Sequence, residues 1–239
     1  HLLFEMLPGD PMRGGWRSEP VRDALDLCLA CKGCKSDCPV NVDMATCKAE
    51  FMSHHYRHQL RPRAAYAMGL IFWWARAAAA RYGYPALALR TIAVTGTNGK
   101  TTTVNILRAL LDLPVAPAAS IGTLGVLVGA EGRLVPGGLG LTTPGPEELQ
   151  RVLRELADAG VRSVAMEVSS HALDQARVHG IAFDAAVFTN ITRDHLDYHG
   201  TMEEYFAAKA KLVSYLKTTG VAVVNADQPE WLDLPVAPR

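Results

Sequence analysis

Beyond about residue 90 the chain alternates short apolar runs with amphipathic stretches. Thr91-Ile92-Ala93-Val94, Ser163–Val168, Ala185–Thr189 and Val221–Asn225 are strand candidates. Lys100–Asp112 carries Val104, Leu107 and Leu111 at helical spacing. A second helix opens at Pro146, sets Leu149, Val152, Leu153 and Leu156 in one stripe, and is stopped by Gly160. A third opens at Thr201, where Glu204 three residues on forms a capping box. Repeated strand–loop–helix units predict an α/β fold, a mostly parallel sheet with helices on both faces. Ligands of such a sheet gather beyond the carboxyl ends of its strands. The first eighty residues lack this pattern and read as a small all-α segment. A helix is expected over Val42–Gln59, and the apolar stretch Ala64–Ala80 reads as a buried or interfacial helix. Arg76 interrupts that stretch, which falls short of the roughly 20 residues a membrane span needs.

Polar residues collect at the predicted strand ends. After Thr91–Val94 comes Thr95-Gly96-Thr97-Asn98-Gly99-Lys100-Thr101-Thr102-Thr103, a glycine-rich turn running into a helix. Backbone N–H groups and the helix dipole at such a junction attract phosphate. Lys100 would reach the β- and γ-phosphates of ATP, and Thr101 would offer its hydroxyl to Mg²⁺. The loop is a shortened G-x-x-G-K-T: the longer G-x-x-x-x-G-K-[ST] form needs glycine where Val94 stands. The plain alternative is a Gly/Asn turn.

Glu167 closes the run Ser163–Val168. A carboxylate in an apolar strand is costly unless it meets a cation, either Mg²⁺ beside the phosphates or a salt-bridge partner. Asn190–His199 packs Arg193, Asp194, His195, Asp197 and His199 into one loop. Lys209 lies in a buried stripe, because its neighbours Tyr205, Phe206, Leu212 and Val213 are apolar. Burial disfavours its charge, and a neutral amine can take up CO₂ as a carbamate able to ligate Mg²⁺. The same lysine could instead snorkel past its aromatic neighbours.

Composition narrows the picture little. The 239 residues are 49% apolar and 20% charged with a formal net charge of zero, so no general polyanion-binding surface is implied. No signal-peptide pattern follows His1, and a cytoplasmic location is expected. The five cysteines all fall between positions 28 and 47. Clustering of this kind points to metal rather than to a disulfide framework. Cys28-x2-Cys31-x2-Cys34-x3-Cys38-Pro39 is the bacterial ferredoxin run, whose thiolates hold a [4Fe–4S] cluster, and zinc is the alternative. Either Cys38 closes one cluster locally or a further ligand lies elsewhere. Cys47 is a spare candidate or a small core residue.

Two resemblances follow. Asp26 through Thr46, continued by Leu60-Arg61-Pro62-Arg63-Ala64-Ala65-Tyr66, resembles the iron–sulfur region of FAD-linked oxidases of the glycolate-oxidase and D-2-hydroxyacid dehydrogenase type. It implies a ferredoxin-like 4Fe-4S segment over 1–80 and, as an alternative function, an electron-transfer module. Gly96–Thr102, Thr142-Thr143-Pro144, Met166–Gln175, Asn190–Gly200 and Ala207-Ala208-Lys209 together resemble the central domain of Mur ligases, in the UDP-N-acetylmuramoyl-tripeptide synthetase branch. That likeness implies an ATP-binding domain over 81–239 and an ATP-dependent ligase of peptidoglycan precursor synthesis. Such an enzyme adds a diamino acid to UDP-MurNAc-L-Ala-D-Glu through an acyl phosphate.

By the ligase resemblance, Gly96, Thr97, Asn98, Gly99, Lys100, Thr101, Thr102 and Asn190 contact the nucleotide. Thr101 and Glu167 hold one Mg²⁺, and N6-carboxylated Lys209, Glu167 and His195 hold a second. Thr142, Thr143, Ser169, Gln175 and Arg177 bind the nucleotide-sugar peptide. The family's uridine-binding and amino-acid-selecting domains have no counterpart in these 239 residues, and the two resemblances meet near residue 80 without a linker. A truncated ligase domain is expected, binding Mg-ATP weakly and not completing the cycle.

Overall fold

The computed structural model describes residues 15–26, 44–60, 70–138 and 140–235. The chain divides into two compact units, His1–Tyr66 and Ala67–Arg239, earlier in the chain than the seam near residue 80 expected from sequence.

In the first unit a 3₁₀ turn (Gly15–Arg17) leads to helix α1 (Glu19–Asp26), and helix α2 spans Met44–His55. A small core of Val21, Leu25 and Phe51 joins them, with Trp16 and Met52 packed on it. His55 is buried, and its Nδ1 lies 3.0 Å from the Trp16 carbonyl. The run Cys28, Cys31, Cys34 and Cys38 lies outside the described residues, so the ferredoxin-like arrangement has no described counterpart. Cys47 sits half-buried on α2 as a free thiol.

The second unit is a seven-stranded sheet. Its strands are β1 (Arg90–Thr95), β2 (Ala118–Gly122), β3 (Gly125–Val128), β4 (Arg133–Val135), β5 (Ser163–Glu167), β6 (Phe183–Phe188) and β7 (Leu216–Val224). Their order is β4-β3-β2-β5-β1-β6-β7. β2, β5, β1, β6 and β7 run parallel, and β3 and β4 add an antiparallel edge. The helices are α3 (Ile71–Arg81), α4 (Lys100–Leu111), α5 (Pro146–Asp158), α6 (Ser170–Asp174), α7 (Leu196–His199) and α8 (Met202–Ala210).

Alternation along the central strands produces the layers. On β1, Ile92 and Val94 face one side with Ala165 and with Val104 of α4. Ala93, Val164 and Met166 face the other, where Leu149, Val152, Leu153 and Leu156 of α5 pack. Both faces are covered, so β5 is buried along its whole length. The α4 and α5 stripes read from sequence are the ones that seat these helices. The edge β2–β3–β4 was not anticipated: its strands are short, and β2 (Ala-Ala-Ser-Ile-Gly) lacks the bulky β-branched run that marks a strand. β7 begins earlier than the apolar Val221–Asn225 run, because Leu216 pairs with Phe183 before a register shift, and the ladder resumes at Val221.

Candidate functional site

The carboxyl ends of β1, β5 and β6 converge on the turn Gly96–Gly99. Gly96 has φ 144° and Gly99 φ 82°, conformations that L side chains rarely adopt. A Cβ on Gly96 would fall on Thr189 Oγ1 and sit 3.0 Å from the Asn190 carbonyl. The turn is tied to the end of β6: Thr97 N–H donates to the Asn190 carbonyl (2.8 Å) and Asn98 N–H to Asn190 Oδ1 (2.9 Å). Thr189 Oγ1 donates to Asn98 O (2.7 Å). Thr97 Oγ1 donates to Thr192 O (3.2 Å) and lies 3.2 Å from the Tyr205 hydroxyl. Asn190 thus shapes the loop through backbone groups, a placement the sequence motif does not reveal.

Two lysines share one carbonyl here. Lys100 Nζ folds back to donate to Gly96 O (2.9 Å) and Thr97 O (2.8 Å). Lys209 Nζ, from the buried face of α8, donates to the same Gly96 O at 2.8 Å and lies 4.4 Å from the Tyr205 ring centroid. Burial first, and then the nearby Lys100 charge, lower the Lys209 pKa to about 7, with Asp194 opposing the shift. Lys100 is also held below its ordinary value by burial, with Glu167 and Asp194 pulling the other way. Lys209 is 1% exposed, so it does not reach solvent past its aromatic neighbours.

Glu167, also 1% exposed, ends β5 beside this pair. Its Oε1 accepts from Thr101 Oγ1 (2.9 Å) and from Thr123 N–H (2.9 Å). Gly122 lets the carboxylate approach, since a Cβ there would overlap Oε1. Thr123 is a site residue that the motifs did not flag, since it follows β2, a strand the sequence itself does not mark. Helix α4 begins at Lys100, so its first N–H groups lack intrahelical partners and face the loop. A glycine cradle, a helix start, a lysine and a hydroxyl–carboxylate pair fit a nucleotide phosphate with its cation.

His195 has φ 52° and is about half exposed. Its ring lies 4.9 Å from that of His171 and 6.1 Å from that of Tyr205, and its Nε2 is 3.6 Å from Asp194 Oδ2. Among the described residues no group of three or more His, Cys, Asp or Glu side chains comes together as a metal site. Thr101 and Glu167 are therefore brought together, whereas His195 stands with a histidine cluster. His171 is pushed down to about 4 by burial, then by His195, His199 and Arg177.

The expected substrate residues form one hydrogen-bonded chain. Arg177 donates from Nε (2.9 Å) and Nη2 (2.6 Å) to Gln175 Oε1, and from Nη1 to the Thr143 carbonyl (3.1 Å). Thr143 Oγ1 donates to the Glu167 carbonyl (2.9 Å) and accepts from Ser169 N–H (3.1 Å). Thr142 meets Thr123 through their hydroxyls at 3.3 Å. Gln175 Nε2 continues to the Tyr198 hydroxyl (3.4 Å), which donates to Asp174 Oδ2 (3.0 Å); Lys211 Nζ holds Asp174 Oδ1 at 2.6 Å. Tyr198 and Asp174 were not singled out from sequence, because the two short helices that carry them meet only in the fold.

The Mur ligase middle domain family model matches residues 94–235, more than half of the chain. The chain belongs to the Mur ligase family. Among its curated relatives, the UDP-N-acetylmuramoyl-L-alanyl-D-glutamate--2,6-diaminopimelate ligase of Xanthomonas campestris pv. campestris (strain 8004) is 56% identical over 146 residues, 61% of this chain and 28% of the relative. The enzyme of the same name from Geobacter metallireducens is 47% identical over 160 residues, 64% of this chain and 30% of the relative. The chain thus spans less than a third of these Mur ligases. A solved 2,6-diaminopimelate ligase of this kind superposes with TM-score 0.52 at 34% identity, over 70% of this chain and 35% of that one. A folylpolyglutamate synthase from Mycobacterium tuberculosis, 17% identical with TM-score 0.52, shares the fold. The family match begins at residue 94 and does not reach the cysteine run, so the iron–sulfur resemblance gains no support from it. No described helix is long and apolar enough to cross a membrane.

Proposed function

We propose that the second unit is the nucleotide-handling part of an ATP-dependent ligase that joins 2,6-diaminopimelate to UDP-MurNAc-L-Ala-D-Glu. The carrying observation is the convergence of Lys100 and Lys209 on the Gly96 carbonyl beside the Thr101–Glu167 pair. The names of the relatives supply the substrates, and the site supplies the chemistry.

In this reading the Gly96–Thr102 loop grips the β- and γ-phosphates of ATP. Lys100 swings from the loop carbonyls onto the γ-phosphoryl group as that group passes to the D-Glu carboxylate. The acyl phosphate is then attacked by the amine of diaminopimelate, giving an amide, ADP and phosphate. Thr101, Glu167, His195 and N6-carboxylated Lys209 would hold Mg²⁺, whose charge offsets that developing on the phosphoryl oxygens. Lys209 suits carboxylation because its amine is largely neutral above pH 7 and attacks CO₂, releasing one proton. Thr142, Thr143, Ser169, Gln175 and Arg177 bind the nucleotide-sugar peptide, with Arg177 opposite an anionic group.

Thermal unfolding with and without Mg-ATP tests the reading. At about 100 times the dissociation constant, ATP stabilises by about 2.7 kcal/mol, a rise of several degrees in Tm. The Lys100→Ala variant is expected to lose that rise. A wild-type chain with no response, or a variant with the same response, overturns the proposal.

A further inference from the structure

Helix α3 docks on the second unit through alanine. Ala75 and Ala79 are fully buried and Ala78 nearly so. A Cβ on Gly180 would come within 2.9 Å of Ala79 Cβ and 3.3 Å of the Ala75 carbonyl, so only glycine admits this approach. The opposite face carries the large side chains. Trp73 is 64% exposed, Trp74 55%, Leu70 44% and Phe72 41%. At 100° per residue Trp73 points directly away from the alanine face, with Ala77 and Ala80 beside it. Arg81 flanks this ridge on the Trp74 side and Arg76 on the Phe72 side. Phe72 leans on His179 with ring centroids 3.8 Å apart, which leaves the tryptophans as the outermost groups.

A buried alanine face with tryptophan turned to water inverts the usual order, since exposed large apolar patches mark interaction sites. Two features select the occupant. Tryptophan with flanking arginine is the composition of the membrane–water boundary, where indole sits among headgroups and arginine snorkels to phosphate. Along the sequence the charge around the helix also has one sign: the chain carries no Asp or Glu between Glu50 and Asp112. Glu147 of α5 lies 3.8 Å from Arg81, and both groups are about 70% exposed, so solvent screens the pair. Arg76 is the cation on the other flank.

We infer that α3 is a peripheral docking element for an anionic lipid surface, with Trp73 and Trp74 inserted at headgroup depth and Arg76 and Arg81 on lipid phosphates. The helix lies on the surface and does not span it. Nucleotide plays no part in this contact, so the inference stands apart from the ligase reading.

Co-sedimentation of the whole chain with vesicles tests it. Vesicles of phosphatidylglycerol and phosphatidylethanolamine are expected to pellet the protein at about 0.1 M salt and to release most of it at about 0.5 M, whereas phosphatidylcholine vesicles leave it in solution. The Trp73→Ser/Trp74→Ser variant, changed only at exposed positions, is expected to keep the wild-type Tm and to lose binding at least tenfold. Arg76→Gln is expected to weaken binding about fivefold. The inference is overturned if anionic vesicles fail to pellet the wild type, or if the double variant pellets equally. A self-associating wild type that ignores vesicles, with the double variant monomeric, also overturns it and assigns the ridge to a second copy of the chain.

Discussion

The phosphate loop and the buried face of α8 each send a lysine to the Gly96 carbonyl, and the two lysines differ in everything else. Lys100 stands at the helix start on a glycine turn, half-buried, with a second carbonyl to hold, and burial lowers its pKa while Glu167 and Asp194 pull the other way. Lys209 lies over Tyr205 with Gly96 O as its hydrogen-bond acceptor, and burial brings it to about 7. One loop atom thus meets two lysines, and burial lowers both below their ordinary pKa. In the proposed function Lys100 does electrostatic work and Lys209 covalent chemistry at its nitrogen.

Removing what they share should have the largest effect. Gly96→Ala forces a Cβ onto Thr189 Oγ1 and against the Asn190 backbone at a positive φ. A loss of about 3 kcal/mol is expected, roughly 6–12 °C in Tm, together with the ATP response. Calorimetry that finds the variant as stable as the wild type would show that the loop carries no such constraint.

The next test separates the lysines by pH. A folded pKa near 7 against about 10.5 unfolded means that the unfolded chain binds more protons between these values. Stability from this group therefore rises with pH above 7 and is lost as pH falls through 7. From pH 6 to 9 the gain is about 2–3 kcal/mol. Lys209→Met should lack that slope, and denaturant titrations at the two pH values would reveal it. Parallel pH dependence in wild type and variant would return Lys209 to the charged class of Lys100.

The smallest effect is expected at Asn190, which shapes the loop without touching either lysine. Asn190→Ala removes the acceptor of the Asn98 N–H and should cost about 1 kcal/mol, with a weaker ATP response and an unchanged pH slope. A change in that slope would mean that loop shape and Lys209 burial are one variable.

The stripes of α4 and α5 were legible because helical spacing places buried residues independently of partners. The phosphate loop was legible because phosphate binding needs glycine, lysine and hydroxyl contiguous in sequence. The four apolar neighbours of Lys209 left burial and snorkelling both open, and the fold decided for burial. Thr123, Tyr198 and Asp174 were not legible, since each meets its partner across separate elements: Thr123 reaches Glu167, while Tyr198 and Asp174 join two short helices. The edge strands β3 and β4 escaped for the same reason, because pairing of β3 with β2 and of β4 with β3 stabilises them more than their own composition does.

By itself, the sequence determined the alternating fold of the second unit and the glycine turn between its first strand and helix, both of which depend on local spacing. The tertiary structure alone decided that Lys100 and Lys209 meet on one carbonyl, that Glu167 binds Thr101 and Thr123, and that α3 turns its alanines inward and its tryptophans out. Those outcomes depend on which strand ends become neighbours and how closely Gly180 admits a helix, and neither is written in any contiguous stretch of chain.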